Sequence, residues 1–186
     1  TFLSKDENPN RKKLLFSLAL KDAKDLKASV LEDHLDCEQG DLPEEIFRKD
    51  LLCPRIFLEE LTPYRSMIRE FFEEETKHSF AEQPERILDY LKKNITFHAE
   101  EEYDTIMATP VGVLTMKQGS PLAQKILFVA ICRSLNVAAR LNPVTLEPEY
   151  YHNGAFHSVE TEAAVLEEET ESAVLALNAE DGSVWK

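Results

Sequence analysis

Apolar residues recur at helical spacing through most of the first two thirds of the chain, then give way to short runs bounded by turn residues. Residues 13–20 (KLLFSLAL) read as a strand or an extended buried segment. Residues 22–35 (DAKDLKASVLEDHL) read as a helix, with Leu26, Val30 and Leu31 on one face and Asp22 or Asp25 placed to cap it. Gln39-Gly40-Asp41-Leu42-Pro43 breaks the pattern, and Pro43 suits the first turn of a short helix over 44–52 that stops before Pro54. Thr62-Pro63 offers an N-cap and a first helical residue for an apolar stripe of Tyr64, Met67, Ile68, Phe71 and Phe72. Residues 83–95 form a further helix, with Ile87, Leu88 and Leu91 inward. Residues 100–107 read as a polar connector, and 109–114 as turn-prone at Pro110 and Gly112.

Residues 121–135 are the most apolar helix in the chain. Leu122, Ile126, Leu127, Phe128, Val129, Ala130, Ile131 and Leu135 cover most of its circumference, which places it in the middle of a core. Asn136 ends it, because asparagine tolerates the left-handed conformation of a helix C-terminus. Strands follow over 137–142, 148–152 and 155–161, the last two joined by Asn153-Gly154, a hairpin signal. Residues 172–178 read as one more strand. The expected architecture is α+β: a helical N-terminal half and a buried core helix packed on a small antiparallel sheet. One domain spans residues 1–165, with 166–186 a terminal strand or the truncated start of a following β domain.

With 186 residues and a net charge of -14, the chain suits one core and argues against a nucleic-acid partner, whose phosphates need basic stripes. Acidic runs at 73–75, 100–102 and 167–169 read as solvated surface. No run has the length and apolarity of a membrane span. Three cysteines, Cys37, Cys53 and Cys132, make no disulfide framework, although one Cys37–Cys53 bridge is open. His34, Cys37 and Cys53 lack the spacing of a paired zinc motif, and the acidic residues at 32–41 lack that of a calcium loop. No metal and no cofactor is expected.

The chemistry-bearing stretch is TPVGVLTMKQGSPLAQKILFVAICRSLNVAARL, residues 109–141. Its Gly119-Ser120, Ala130-Ile131-Cys132-Arg133 and Asn136-Val137-Ala138-Ala139-Arg140 resemble the core of the transglutaminase-like superfamily, relatives of papain-type thiol enzymes. The family pattern is Gly-Ser/Thr-Cys opening a buried helix, Ala-Leu-x-Arg within it, and Gly-Ile-Pro-Ala-Arg leading into a strand. The segment Gly154-Ala155-Phe156-His157-Ser158-Val159-Glu160 is similar to the family's Gly-x-Trp-x-x-x-Asp strand, with Phe156 in place of Trp.

The resemblance implies a triad: a thiolate at the helix start, a His on the following strand, and an Asp one hairpin on. It sets those roles at Pro121, Thr145 and Glu160. Proline has no nucleophile, threonine is no base near neutral pH, and Glu160 has no His in register to orient. The resemblance therefore implies a degenerate, non-catalytic bacterial member, a periplasmic or cell-surface binding or structural module. Its partners are then other domains of the same polypeptide and a peptide or glycan ligand. The alternative is a cysteine or serine hydrolase, or transglutaminase-like enzyme, with a relocated nucleophile. Ser120 is a candidate for that role, although serine is also a common N-cap. His152 and His157 flank the hairpin, and alternation along strands suggests opposite faces. Tyr150, Tyr151 and Phe156 fit either strand pairing or a groove edge. Cys132 lies three turns past the helix start and reads as packing. Arg133 and Arg140 need acidic partners, with Glu149 or Glu160 expected.

Overall fold

The computed structural model describes residues 8–97 and 108–161. The chain starts with α1 (Asn10–Ser17), α2 (Leu20–Asp25) and α3 (Ala28–His34). Residues 13–20 are thus helical up to Ser17, not a strand. As a helix the run buries Leu14, half-buries Leu15 and Leu18, and turns Phe16 to solvent. The helix expected over 22–35 is broken by extended residues Leu26 and Lys27. Asp22 lies inside α2 and caps nothing; its carboxylate holds Arg55 at 2.5 Å. Next comes α4 (Glu44–Ile46), which runs directly into a π-helical stretch, Phe47–Leu52, that stops before Pro54 as its sequence requires.

Helix α5 (Arg65–Phe71) starts later than Thr62-Pro63 suggests. The Thr62 hydroxyl is buried without a hydrogen-bond partner. The cap comes instead from α3, where the Asp33 carboxylate accepts from the N–H groups of Arg65 at 2.8 Å and Ser66 at 3.0 Å. A cap supplied through space leaves no local sequence signal. Helix α6 (Glu74–Glu82) buries only Phe80, which is why its pattern is weak. Helix α7 (Glu85–Asn94) turns Ile87, Leu88 and Leu91 inward as expected. Residues 109–114 open another helix, α8 (Pro110–Met116), rather than a turn. The Thr109 hydroxyl accepts from the Gly112 N–H at 3.2 Å, and Pro110 takes the first helical position.

The core helix, α9 (Pro121–Ser134), falls where its apolar pattern places it, and each of residues 126–132 is 0% exposed. Asn136 ends it with a φ of 64°. A short parallel pair, β1 (Thr96–Phe97) and β2 (Gln118–Gly119), fixes the approach to α9. At Gly119 an added Cβ would sit 3.2 Å from the Val113 side chain, so the glycine lets this segment lie close on α8. The main sheet is the antiparallel meander β3 (Ala139–Leu141), β4 (Pro148–His152) and β5 (Ala155–Ser158). Asn153 and Gly154 make its two-residue turn, with φ of 49° and 87°.

The sheet has a packed residue set on each face. Ala139, Leu141, Tyr150 and Val159 join α5, α7, α8 and α9 in the main core. Ala138 and Tyr151 meet a second cluster built from Leu14, Leu31, Leu35, Phe47, Leu51 and Leu52. Residues 8–52 thus form a helical layer with its own small core, laid against the rest. The α+β architecture is the expected one. The connector at 100–107 and the segment at 166–186, with its strand at 172–178, lie outside the described residues.

Candidate functional site

The head of α9 is the natural place to look for chemistry, because a helix N-terminus favours anionic groups. Ser120 is its N-cap, and the Ser120 hydroxyl accepts from the Ala123 N–H at 3.2 Å. The Ser120 carbonyl accepts from the Gln124 N–H at 3.0 Å. Pro121 takes the first helical position and has no N–H to offer. The donors that would meet an oxyanion are thus largely committed to the cap.

Thr145 is exposed in the β3–β4 loop and serves the turn there. Its hydroxyl accepts from the Glu147 N–H at 3.3 Å, and its own N–H donates to the Asn142 side chain at 3.1 Å. Glu160 is exposed just past β5. The head of α9 does hold a charged cluster that the motif reading passed over. Lys125, one turn along from Pro121, places Nζ 2.7 Å from Oε1 of Glu147, with side chains 13% and 16% exposed. Oε2 of Glu147 accepts from the buried Thr161 hydroxyl at 3.1 Å. A signal was present: Lys125 is the one charged residue in residues 121–132, and a lone cation on a buried helix needs a counter-charge.

The hairpin carries the second group of candidates. Its register pairs Tyr150 with His157 and His152 with Ala155, so both histidines share the Tyr150 face. The expectation of opposite faces fails because a two-residue turn reverses parity between strands. The His157 ring stacks on Tyr150 with centroids 5.5 Å apart, and the two histidine rings lie 6.2 Å apart. The Tyr150 hydroxyl donates to Glu85. Burial, helped by Glu85, pushes the Tyr150 hydroxyl up to about 12, and the same hydrogen bond lowers the Glu85 carboxyl. Tyr151 points to the other face, against Phe156 at 5.2 Å. Arg140 covers Phe156 at 3.7 Å and donates to Glu149 at 2.9 Å, the acidic partner its sequence position suggested.

Distance separates the two groups. Glu147, just before β4, meets Lys125, whereas Tyr150 joins the core cluster beside Cys132. Strand and helix therefore run side by side, and the hairpin tip lies toward the end of α9 far from Pro121. From residue 121 to residue 132 the helix rises about 16 Å. Ser120 is brought together with neither histidine.

Cys132 is completely buried, and burial pushes its thiol far above the ordinary range. Cys37 and Cys53 are free thiols, so no bridge joins them, and burial raises the Cys37 thiol. The Nδ1 atom of His34 is occupied by Arg65. Arg133 has no carboxylate partner of the expected kind; its guanidinium donates to the carbonyls of Ala139, Cys53 and Arg55 at 2.8, 2.8 and 2.9 Å. It ties α9 to β3 and to the segment that ends the helical layer. A surface depression of about 510 Å³, lined by Lys13, Phe16, Glu44, Glu45 and Arg48, belongs to that layer and includes no residue from the head of α9.

A core helix on an antiparallel meander, with its N-terminus at a Gly-Ser-Pro turn, is the arrangement the sequence motifs imply. The family model of the transglutaminase-like superfamily matches residues 65–178. The chain belongs to this superfamily. No curated protein and no solved structure matches it.

Proposed function

We propose that this domain is catalytically silent and serves as a binding or structural module of a larger bacterial extracytoplasmic polypeptide. The observation that carries the reading is the chemistry at the head of α9. Proline stands where the resemblance sets the nucleophile, the neighbouring serine hydroxyl is spent on the N-cap, and the charged pair there is Lys125–Glu147. None of these supplies a nucleophile beside a base. The bacterial, periplasmic or cell-surface setting rests on the family resemblance of residues 109–141 and 154–160. Its partners are other domains of the same polypeptide and a peptide or glycan ligand. Tyr150, His152 and His157 offer that ligand a stacked aromatic edge.

The competing reading is a hydrolase with a relocated nucleophile, and Ser120 is its best candidate. A fluorophosphonate probe tests it directly, because an activated serine is phosphonylated and a capping serine is not. The expected result is no labelling of the folded protein. Stoichiometric labelling mapped to Ser120, and lost in Ser120→Ala, would overturn the proposal.

A further inference from the structure

We propose that His34 is an acid-sensitive latch that holds the N-terminal helical layer, residues 8–52, against the transglutaminase-like core. The latch is the contact between α3 and α5. Both His34 and Arg65 are 0% exposed. Arg65 Nε donates to His34 Nδ1 at 3.1 Å, and the same guanidinium donates to the Leu51 carbonyl. A donor on Nδ1 requires that atom to be an acceptor, so the closed state needs a neutral imidazole. Protonation removes the acceptor and sets two cations side by side in the interior.

The surroundings leave that extra charge without help. From α5, Arg65 and Arg69 face the ring, and from α9, Arg133; all three oppose protonation, after burial itself, which is the largest effect. Tyr64 packs edge-on against the imidazole at 4.6 Å, with its hydroxyl buried and without a partner. On the side of α3 the nearby carboxylates are already engaged. Asp33 accepts from the Arg65 and Ser66 N–H groups, and Asp36 pairs with Arg69. The Cys37 thiol donates weakly to the His34 carbonyl, at 3.7 Å. Nε2 has no well-formed hydrogen bond; the Leu52 carbonyl favours protonation but is outweighed.

The layer is built to be separable. Its apolar cluster is distinct from the main core and meets the sheet through Ala138 and Tyr151. Polar fastenings across the same boundary include Asp22 to Arg55, Asp36 to Arg69, and Glu38 to the Asn136 side chain, and the 47–52 stretch also packs against α9 and β3. The family match begins at residue 65, on the core side of the same contact.

A histidine held neutral when closed, and free to titrate when open, binds more protons in the open state. The closed form keeps its full advantage above about pH 6.5 and loses it progressively as the pH falls below that value. Between about pH 7.5 and about pH 5.5 the open population should rise by up to about tenfold.

Cys53 reports the opening. It is 6% exposed, and its Sγ lies 3.5 Å from the Ser17 carbonyl at the end of α1, whereas Cys132 sits in the main core. A pyridyl disulfide, which reacts with thiols in acid, can be applied across this range with each cysteine mapped. The expected result is a rise of up to about tenfold in Cys53 labelling on acidification, no rise at Cys132, and a flat profile in His34→Gln. Unchanged Cys53 labelling, a rise shared equally by Cys132, or an undiminished response in His34→Gln would overturn the latch. Should that variant not fold, the ring resonances of His34 in the intact protein decide. A titration midpoint near 6.5 in the folded state contradicts the proposal, as does a neutral ring with no acid-dependent rise in Cys53 labelling of the same protein; a ring that stays neutral in the closed state together with that rise supports it.

Discussion

Removing the charge on Glu147 perturbs the head of α9 at its most informative point. The Lys125–Glu147 pair spans 2.7 Å, and both side chains are at least four-fifths buried. Exposed pairs contribute about 0–1 kcal/mol, whereas stranding one member of a buried pair costs about 3–5 kcal/mol. This pair lies nearer the buried limit, and Thr161 adds a hydrogen bond to the same carboxylate. Glu147→Gln leaves the lysine ammonium without a counter-charge, for a predicted loss of about 2–3 kcal/mol. Lys125→Met keeps the stem packing and removes the cation, for about 1–2 kcal/mol. In the double variant no charge is stranded, so its loss should fall short of the sum by about 1–2 kcal/mol. Urea unfolding of the four proteins, compared at equal m-values, measures that coupling. A coupling below about 0.5 kcal/mol would refute the view that the pair is a built-in part of the fold.

Two other substitutions test the remaining fastenings. Arg133→Met strands the carbonyls of Ala139, Cys53 and Arg55, and should cost about 3–5 kcal/mol in a urea melt. Ser120→Ala removes the α9 cap and should cost about 1 kcal/mol, with most of that restored by Ser120→Asp.

The most legible parts of this fold were those whose signal is local. Continuous apolar character placed α9, Asn153-Gly154 placed the hairpin, and the Arg140–Glu149 pair followed from neighbouring strands. The failures share a cause, which is partnership through space. The α5 cap is Asp33, thirty-odd residues away; Arg133 satisfies itself on carbonyls that carry no side-chain label; Lys125 meets Glu147 across a helix and a loop. The apolar run at 13–20 misled because it mixes one buried leucine with an outward Phe16 and an outward Leu20, which mimics an extended segment. Of the candidate site, the motif placed Pro121 and Ser120 correctly at the head of α9, but it gave no hint that the hairpin histidines share one face near its other end.

A domain without an activated nucleophile has no reactive thiol, which is tested by mapping iodoacetamide alkylation of each cysteine in the native protein from about pH 5 to about pH 9. Iodoacetamide takes only the thiolate, so an activated cysteine declares itself by fast reaction in mild acid. No such thiol is expected: Cys132 stays protected until the core unfolds, and Cys37 is slowed by the burial that raises it. A cysteine that alkylates rapidly and completely below about pH 7 in the folded protein would overturn the silent-domain proposal and locate an active site that α9 does not display.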